Sequence, residues 1–223
     1  MKIEIVSDTI CPWCFVGKRR FELALKLRPQ PGLSLTWRPY QLNPTMPREG
    51  VDRKPYLAHK FGDLEHAERV NSRLRKVGKE VGIDFQFDAI SVTPNTVNSH
   101  RLIQFAKTHN AREVDVVEEL FRAYFQKSEN IGDANVLSDI AARAGLDPQE
   151  FKNYLLSDID RVYILEQDAA IRRDGITSAP CFIIEGKYVV SGAQSPEIFH
   201  QIFDLVNQEK IENSKKKVLR KSP

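Results

Sequence analysis

The chain has 223 residues, of which 41% are hydrophobic and 28% are charged, as in an ordinary soluble globular protein. This length suits one domain with an insertion, or two small domains, and three cysteines are too few for a disulfide scaffold. Residues 210–223 carry a charge of +5 within a net charge of +3, so the rest of the chain, at −2, presents no broad basic surface for nucleic acid.

The first 40 residues predict a β–α–β unit. Residues 2–7 are a short β-prone run. Pro12 suits the first turn of a helix, and this helix is predicted to end before Pro29. Apolar and polar residues alternate over residues 33–37, which predicts a second strand. The chain starts with alternating apolar and polar residues, a pattern that does not predict a signal peptide. The sequence contains no apolar run of 18 residues, so no membrane span is predicted. The expected location is cytoplasmic, with no membrane partner.

The middle of the chain predicts helices almost throughout. Its apolar residues recur every three or four positions, for example Val70, Leu74, Val77 and Val81. Asp147 followed by a proline predicts a helix start, and one long helical segment extends from there to Asp174. The end of the chain differs, because residues 181–185 and 188–190 predict a β-hairpin and Ser195 caps a last helix.

These elements predict an α/β fold with a discontinuous core. Residues 1–48 and 175–209 form one domain, and residues 49–174 form a large all-helical insertion between its halves. Residues 210–223, with their run of lysines, are predicted to be a disordered basic tail.

Cys11 and Cys14 lie at the predicted junction of the first strand and helix. On a helix, their spacing puts the second cysteine almost one turn beyond the first, on the same face. The unpaired N–H groups and partial positive charge of a helix N-terminus favour a thiolate there. We therefore predict redox chemistry, with Cys11 as nucleophile and Cys14 as resolving cysteine, and we expect both to be exposed at the helix start.

Three motifs lie at junctions between the predicted strands and helices. They are Cys11–Cys14 after a strand, Thr177–Pro180 before a hairpin, and Ser191–Gln194 before the last helix. Together they resemble the DsbA-like thioredoxin-fold oxidoreductases, and most of all the FrnE-type branch, whose members pair a Cys-Pro-Trp-Cys-like motif with a Gly-Ala-Gln. The resemblance covers nearly the whole chain except the basic tail. It implies a thioredoxin-like fold, β–α–β and then β–β–α around a central mixed sheet.

The resemblance also implies a function and its residues. The function is thiol–disulfide exchange on protein or small-molecule disulfides, by oxidation, reduction or isomerisation. Pro180 is then a cis proline beside the cysteines, and the backbone of Ala179 pairs with an extended substrate. Pro12 and Trp13 are expected to bind substrate as well. No bound cofactor and no metal are expected, and glutathione is a candidate redox co-substrate.

The chain departs from the family in two respects. Cys181 directly follows Pro180, where a small or apolar residue is expected; we interpret it as a buried small hydrophobe, with a third redox thiol as the alternative. The dipeptide between the cysteines is not the Pro-His of DsbA, so the strongly oxidising potential of DsbA is not carried over. In a reducing cytosol, reductase or isomerase work is favoured over net oxidation.

Other polar residues give weaker signals. Asp8, three residues before Cys11, is predicted to serve as a cap or in a turn. The five histidines do not cluster, and no general base is assigned. His59, His66, His100 and His109 are expected on solvated faces. A structural zinc site usually needs four ligands, and the sequence has neither a second CxxC nor a suitable histidine pair.

Two other functions stay open. The first is that of glutathione-dependent isomerases of 2-hydroxychromene-2-carboxylate and kappa-type glutathione transferases, which usually have serine where Cys11 stands and lack a resolving cysteine. The second is a non-enzymatic, chaperone-like client binder, in which the helical insertion holds hydrophobic clients instead of shaping a groove beside Cys11. The presence of both cysteines favours the oxidoreductase.

Overall fold

The computed structural model describes residues 1–219 of the chain. The first unit consists of β1 (Lys2–Ser7), α1 (Pro12–Leu27) and β2 (Ser34–Pro39). The insertion follows, with the elements β3 (Val51–Asp52), α2 (Arg53–Phe61), α3 (Leu64–Glu80), β4 (Val92–Thr93), α4 (Val97–Thr108), α5 (Glu113–Phe125), α6 (Ala134–Arg143), α7 (Pro148–Leu156) and α8 (Arg161–Arg173). The last unit consists of β5 (Cys181–Ile184), β6 (Tyr188–Ser191) and α9 (Pro196–Leu219).

A four-stranded mixed sheet in the order β2-β1-β5-β6 forms the centre of the fold. β1 pairs with β2 in parallel and with β5 antiparallel, and β5 pairs with β6 antiparallel. The predicted thioredoxin-like fold with a helical insertion is confirmed. Val6 lies opposite Cys181, so the end of β1 adjoins the start of β5. The residues that follow β1 therefore lie next to the residues that precede β5.

The insertion is helical apart from one short ladder. Its two strands, β3 and β4, pair antiparallel over two residues each. None of the helices within residues 1–219 is long and apolar enough to cross a membrane.

Helix α1 packs between the sheet and the insertion. On one side the ring of Phe21 lies 5.3 Å from that of Phe182 and 5.2 Å from that of Phe199, between centroids. On another side the ring of Phe15 stacks on that of Phe121 of α5 at 5.0 Å. Phe15 and Phe21 are six positions apart in the chain, so their side chains leave the helix on different faces. The helix that carries the cysteines is therefore fixed by both parts of the molecule.

The single helical segment predicted from Asp147 to Asp174 is wrong, because α7 ends at Leu156 and α8 begins at Arg161. The guanidinium of Arg101, which is 2% exposed, donates to the carbonyl oxygens of Tyr154 and Ser157, each at 2.8 Å. These are carbonyls that a helix end leaves unsatisfied. The backbone N–H and the hydroxyl of Ser157 also donate to the carbonyl of Tyr154, at 3.2 and 2.7 Å, so a local serine and a distant arginine together stabilise the end of α7.

The predicted disordered tail is also wrong for most of its length. Helix α9 continues through residues 210–219. This stretch contains neither glycine nor proline and is rich in lysine, a good helix former, so nothing in it ends the helix. Lys210 also forms an ion pair with Glu185, with Nζ and Oε1 2.7 Å apart. The rest of the predicted tail, residues 220–223, lies outside the described residues.

Candidate active site around the cysteine pair

The turn between β1 and α1 positions the cysteine pair. The backbone N–H of Cys11 donates to the carbonyl of Asp8 at 3.1 Å, so Asp8 has its predicted turn role. Cys11 is the N-cap of α1, with Pro12 in the first turn, and its carbonyl accepts from the N–H of Cys14 at 3.0 Å. Both cysteines are free thiols. This local geometry puts Cys11 at the positive end of the helix, as predicted.

The second half of the site comes from the segment before β5. The Ala179–Pro180 peptide bond is cis, as the family resemblance implied. The Cys11 thiol donates to the carbonyl oxygen of Ala179, with Sγ and O 3.6 Å apart. The structure thus brings together Cys11, Ala179 and Pro180. Binding of substrate by Pro12, Trp13, Ala179 and Pro180 stays a prediction.

A glycine on α1 allows the close approach of these two halves. A Cβ on Gly17 would lie 2.9 Å from Cγ of Pro180 and 3.5 Å from Ala193. The carbonyl of Pro180 accepts from the N–H of Gly192 at 2.8 Å, and Arg20 Nη1 donates to the carbonyl of Ala193 at 2.6 Å. The motif before α9, which the sequence left without a physical role, therefore holds the cis-proline loop against α1.

The expectation that both cysteines are exposed is wrong. Cys11 is 4% exposed and Cys14 is 2% exposed, because the cis-proline loop and the core cover the helix start. Burial raises the pKa of Cys14 well above its ordinary value, and the hydrogen bond and charge of Cys11 raise it further. The hydroxyl of Ser7 and the backbone of Asp8 oppose this rise. Cys14 is therefore a protonated thiol at neutral pH.

A buried acid–imidazole pair lies behind the motif, and the solvated position expected for His100 is wrong. Asp8 is 0% and His100 4% exposed, with Oδ1 of Asp8 3.4 Å from Nε2 of His100 and neither atom hydrogen-bonded. The other Asp8 oxygen accepts from the N–H of Leu42 at 2.7 Å. Thr9 and Ser99 hydroxyls, 2.7 Å apart, fix α4 against this loop. No periodicity in the sequence marks His100, because its burial depends on that docking.

Cys181 does not join the site. It is 2% exposed at the start of β5 and packs with Val6, Tyr40 and Ile171 in a separate cluster. Burial raises its pKa. The interpretation as a buried small hydrophobe is confirmed. Within the part of the chain that the structure describes, no three His, Cys, Asp or Glu side chains are grouped so as to hold a metal ion.

Two cavities adjoin the motif loop. The smaller, about 70 Å³, lies between the loop and the insertion; we call it the Pro12 cleft, and its lining includes Ile10, Pro12, Leu42, Arg53, Tyr56 and Lys60. The larger, about 350 Å³, lies between the sheet and helices α4, α5 and α8, and none of residues 11–14 lines it. A substrate that must reach Cys11 past Pro12 therefore meets the Pro12 cleft.

Comparison with known proteins identifies the family. A family model described as DSBA-like thioredoxin domain matches residues 2–204. The chain belongs to this family. Uncharacterized protein YwbO of Bacillus subtilis (strain 168) is 30% identical to this DSBA-like chain over 203 residues, which cover 89% of this chain and 94% of YwbO. The family resemblance carried by the three motifs is thereby confirmed.

Solved structures share the DSBA-like fold. The probable DsbA oxidoreductase SCO1869 from Streptomyces coelicolor is 29% identical, with a TM-score of 0.84 over 91% of this chain and 88% of that one. The cytosolic disulfide reductase DsbM from Pseudomonas aeruginosa, solved with GSH, is 17% identical, with a TM-score of 0.67 over 93% of this chain and 100% of DsbM. At that identity, DsbM shows the fold alone.

Proposed function

We propose that this DSBA-like protein catalyses thiol–disulfide exchange, with Cys11 as nucleophile and Cys14 as resolving cysteine. One observation carries the proposal: the free Cys11 thiol at the start of α1 faces the carbonyl of Ala179, 3.6 Å away, beside the cis Pro180. A nucleophilic sulfur at a helix N-terminus and a backbone edge that can pair with an extended substrate are the two parts that disulfide exchange needs.

The first step is attack by the Cys11 thiolate on one sulfur of a substrate disulfide. A bond forms between Cys11 and that sulfur, the substrate S–S bond breaks, and the other substrate sulfur leaves as a thiolate. Partial positive charge at the helix N-terminus stabilises the attacking thiolate. Cys14 is unsuited to this step, because burial and Cys11 keep its pKa high and its thiol protonated.

The second step is resolution by Cys14. Its sulfur loses a proton and attacks Cys11, the mixed disulfide breaks, and the second substrate sulfur leaves as a thiolate. The protein now holds a Cys11–Cys14 disulfide, and the substrate has gained two electrons. The spacing of one turn puts Cys14 within reach of Cys11 without movement of the helix.

Glutathione is the proposed reductant. Two glutathione thiols reduce the Cys11–Cys14 disulfide and become glutathione disulfide, which balances the two electrons given to substrate. The fold shared with cytosolic DsbM, which is solved with GSH, supports this choice. We place the protein in the cytoplasm, where a reducing glutathione pool favours reduction or isomerisation over net oxidation.

The two cysteines favour this function over the glutathione-dependent isomerase, although the fold is shared with 2-hydroxychromene-2-carboxylate isomerase, at 13% identity and a TM-score of 0.67. A glutathione-dependent isomerase needs one side chain that activates the glutathione thiol, and its reaction does not use a second cysteine such as Cys14. A client binder needs neither cysteine.

The test is redox equilibration. The protein is incubated over a range of ratios of reduced to oxidised glutathione, and its thiols are alkylated and counted by mass spectrometry while insulin reduction is followed. We expect a Cys11–Cys14 disulfide that forms and disappears with the ratio. Cys14→Ser should accumulate a mixed disulfide at Cys11, and Cys11→Ser should abolish turnover. A pair that stays reduced at every ratio contradicts the proposal.

A further inference from the structure

Arg53 is a buried cation without a compensating anion. It is 9% exposed, and its guanidinium faces the rings of Phe87 and Tyr124, at 6.0 and 5.8 Å from their centroids, while no carboxylate of the described residues forms an ion pair with it. Its Nη1 donates to the Tyr124 hydroxyl at 2.9 Å, while its Nε has no partner. Buried charges are normally paired, because desolvation of an ion is costly. Arg53 is also the first residue of α2, where the helix dipole disfavours a cation.

The charged side chains that line the cleft around Arg53 are all positive. Arg53 lines the Pro12 cleft, and the side chains around that cleft include the cations of Arg53 and Lys60 but no aspartate or glutamate. Lys60 Nζ donates to the Tyr56 hydroxyl at 3.0 Å. The remaining wall is largely apolar, with Leu42 and Leu74 among its members. An anion that enters here meets two positive charges and no repulsion from a lining carboxylate.

We propose that the Pro12 cleft binds a carboxylate of a small thiol or disulfide whose sulfur reacts at Cys11, with Arg53 as the anchor. The proposal rests on the proposed function and names its substrate class. A guanidinium presents paired N–H groups that match a carboxylate, and a cleft of about 70 Å³ holds such a group and little more. The rest of the ligand then extends past Pro12 toward the cysteines. Glutathione has two carboxylates and one thiol.

The first test compares charged and neutral disulfides at 0.15 M salt, where distant charges are screened. The pre-reduced protein is mixed with glutathione disulfide, with its tetraethyl ester or with bis(2-hydroxyethyl) disulfide, and formation of the Cys11–Cys14 disulfide is timed. The ester lacks the charge-assisted hydrogen bond to Arg53, so its reaction with the protein should be at least about tenfold slower than that of glutathione disulfide. This comparison uses the unaltered protein and needs no variant to fold.

The second test removes the anchor. Arg53→Gln should slow the reaction with glutathione disulfide at least about tenfold, and leave that with bis(2-hydroxyethyl) disulfide within about twofold; Arg53→Lys should be intermediate. Arg73→Gln is the matched control, because Arg73 is exposed on α3 and lies outside the cleft. It should leave the ratio of the two rates unchanged. An equal loss on both disulfides makes Arg53 a structural residue and overturns the proposal.

A binding measurement separates failure of the anchor from failure of the enzyme. The Cys11→Ser/Cys14→Ser protein is titrated with reduced glutathione and with its diethyl ester by calorimetry. Binding that weakens at least about tenfold with the ester supports the anchor, even if the unaltered protein reduces no disulfide and the proposed function fails. Equal binding of acid and ester, or no binding of either, contradicts the anchor and leaves the exchange chemistry of the cysteines intact.

Discussion

At Gly17, helix α1 packs directly against the cis-proline loop, and Gly17→Ala tests whether that approach matters. A Cβ at this position would lie 2.9 Å from Cγ of Pro180. Carbon atoms in favourable contact are about 3.5–4.0 Å apart. The proline ring or the helix must therefore move by about half an ångström or more. The contacts with Ala193, at 3.5 Å, need no adjustment.

Two opposing terms set the stability of the Gly17→Ala protein. Overpacking of a well-filled site costs about 1–3 kcal/mol. Replacing a glycine in a helix interior by alanine contributes up to about 1 kcal/mol in return. We therefore expect a free energy of unfolding lower by about 0–3 kcal/mol, which leaves the protein folded. Activity should fall further, since Pro180 is displaced beside Cys11 and a misplacement of about 1 Å can cost about a hundredfold in rate.

The measurements are urea unfolding and the kcat/KM of insulin reduction with glutathione as reductant. Lys26→Ala, at an exposed position of the same helix, controls for a change in helix propensity and should leave kcat/KM unchanged. We expect Gly17→Ala to lose at least about tenfold in kcat/KM. A variant about 1 kcal/mol more stable than the unaltered protein, with full activity, would refute the argument, because only the propensity term would then be present.

Three further predictions follow from burial and charge. Burial raises the pKa of Cys14, so the stability of the reduced protein should be full below about pH 8.5 and fall as the pH rises above it. Urea titrations check this, and Cys14→Ser should make the fall smaller without abolishing it, because burial also raises the pKa of Cys181. Cys181→Ser should keep insulin turnover within about twofold while losing about 1–3 kcal/mol of stability to a buried hydroxyl. Burial opposes ionisation of Glu118, but Arg19 and Lys18 outweigh it and lower its pKa. Glu118→Gln should therefore lower the free energy of unfolding at pH 7 by about 1–3 kcal/mol, less than for a fully buried ion pair because solvent screens this half-buried carboxylate. The unaltered protein should lose stability as the pH falls through the carboxylate range, and thermal melts from pH 7 to about pH 3 test both.

The sequence predicted elements whose causes are local. Pro12 and Asp147 mark helix starts because a missing N–H and a side-chain cap act within one turn, and α1 and α7 begin there. The hairpin of β5 and β6 follows from two β-prone runs and a glycine between them. The proline after Cys11 also predicted that this cysteine lies at the start of α1. For these features the neighbouring residues were sufficient.

What the sequence missed depends on contacts between distant segments. His100 is buried because α4 docks on the motif loop, and Cys11 is covered because the Ala179 segment returns to it. The end of α7 is stabilised in part by Arg101 of α4. Arg53 also gave no signal, since an arginine at a helix start is unremarkable until its burial and missing partner are known. In each case the position or burial of the residue depends on which distant segments the fold brings into contact with it.

The separation between Cys11 and Ala179 has a consequence for synthesis of the protein. These contacting residues are 168 positions apart in the chain. At about 5–20 residues per second, the cysteines precede the segment that covers them by roughly 8–34 s of translation. Through that interval the nascent chain carries two thiols without their cis-proline cover, open to oxidants and to other nascent cysteines. Each newly made molecule therefore encounters the redox chemistry of its surroundings before its own cysteine pair is covered.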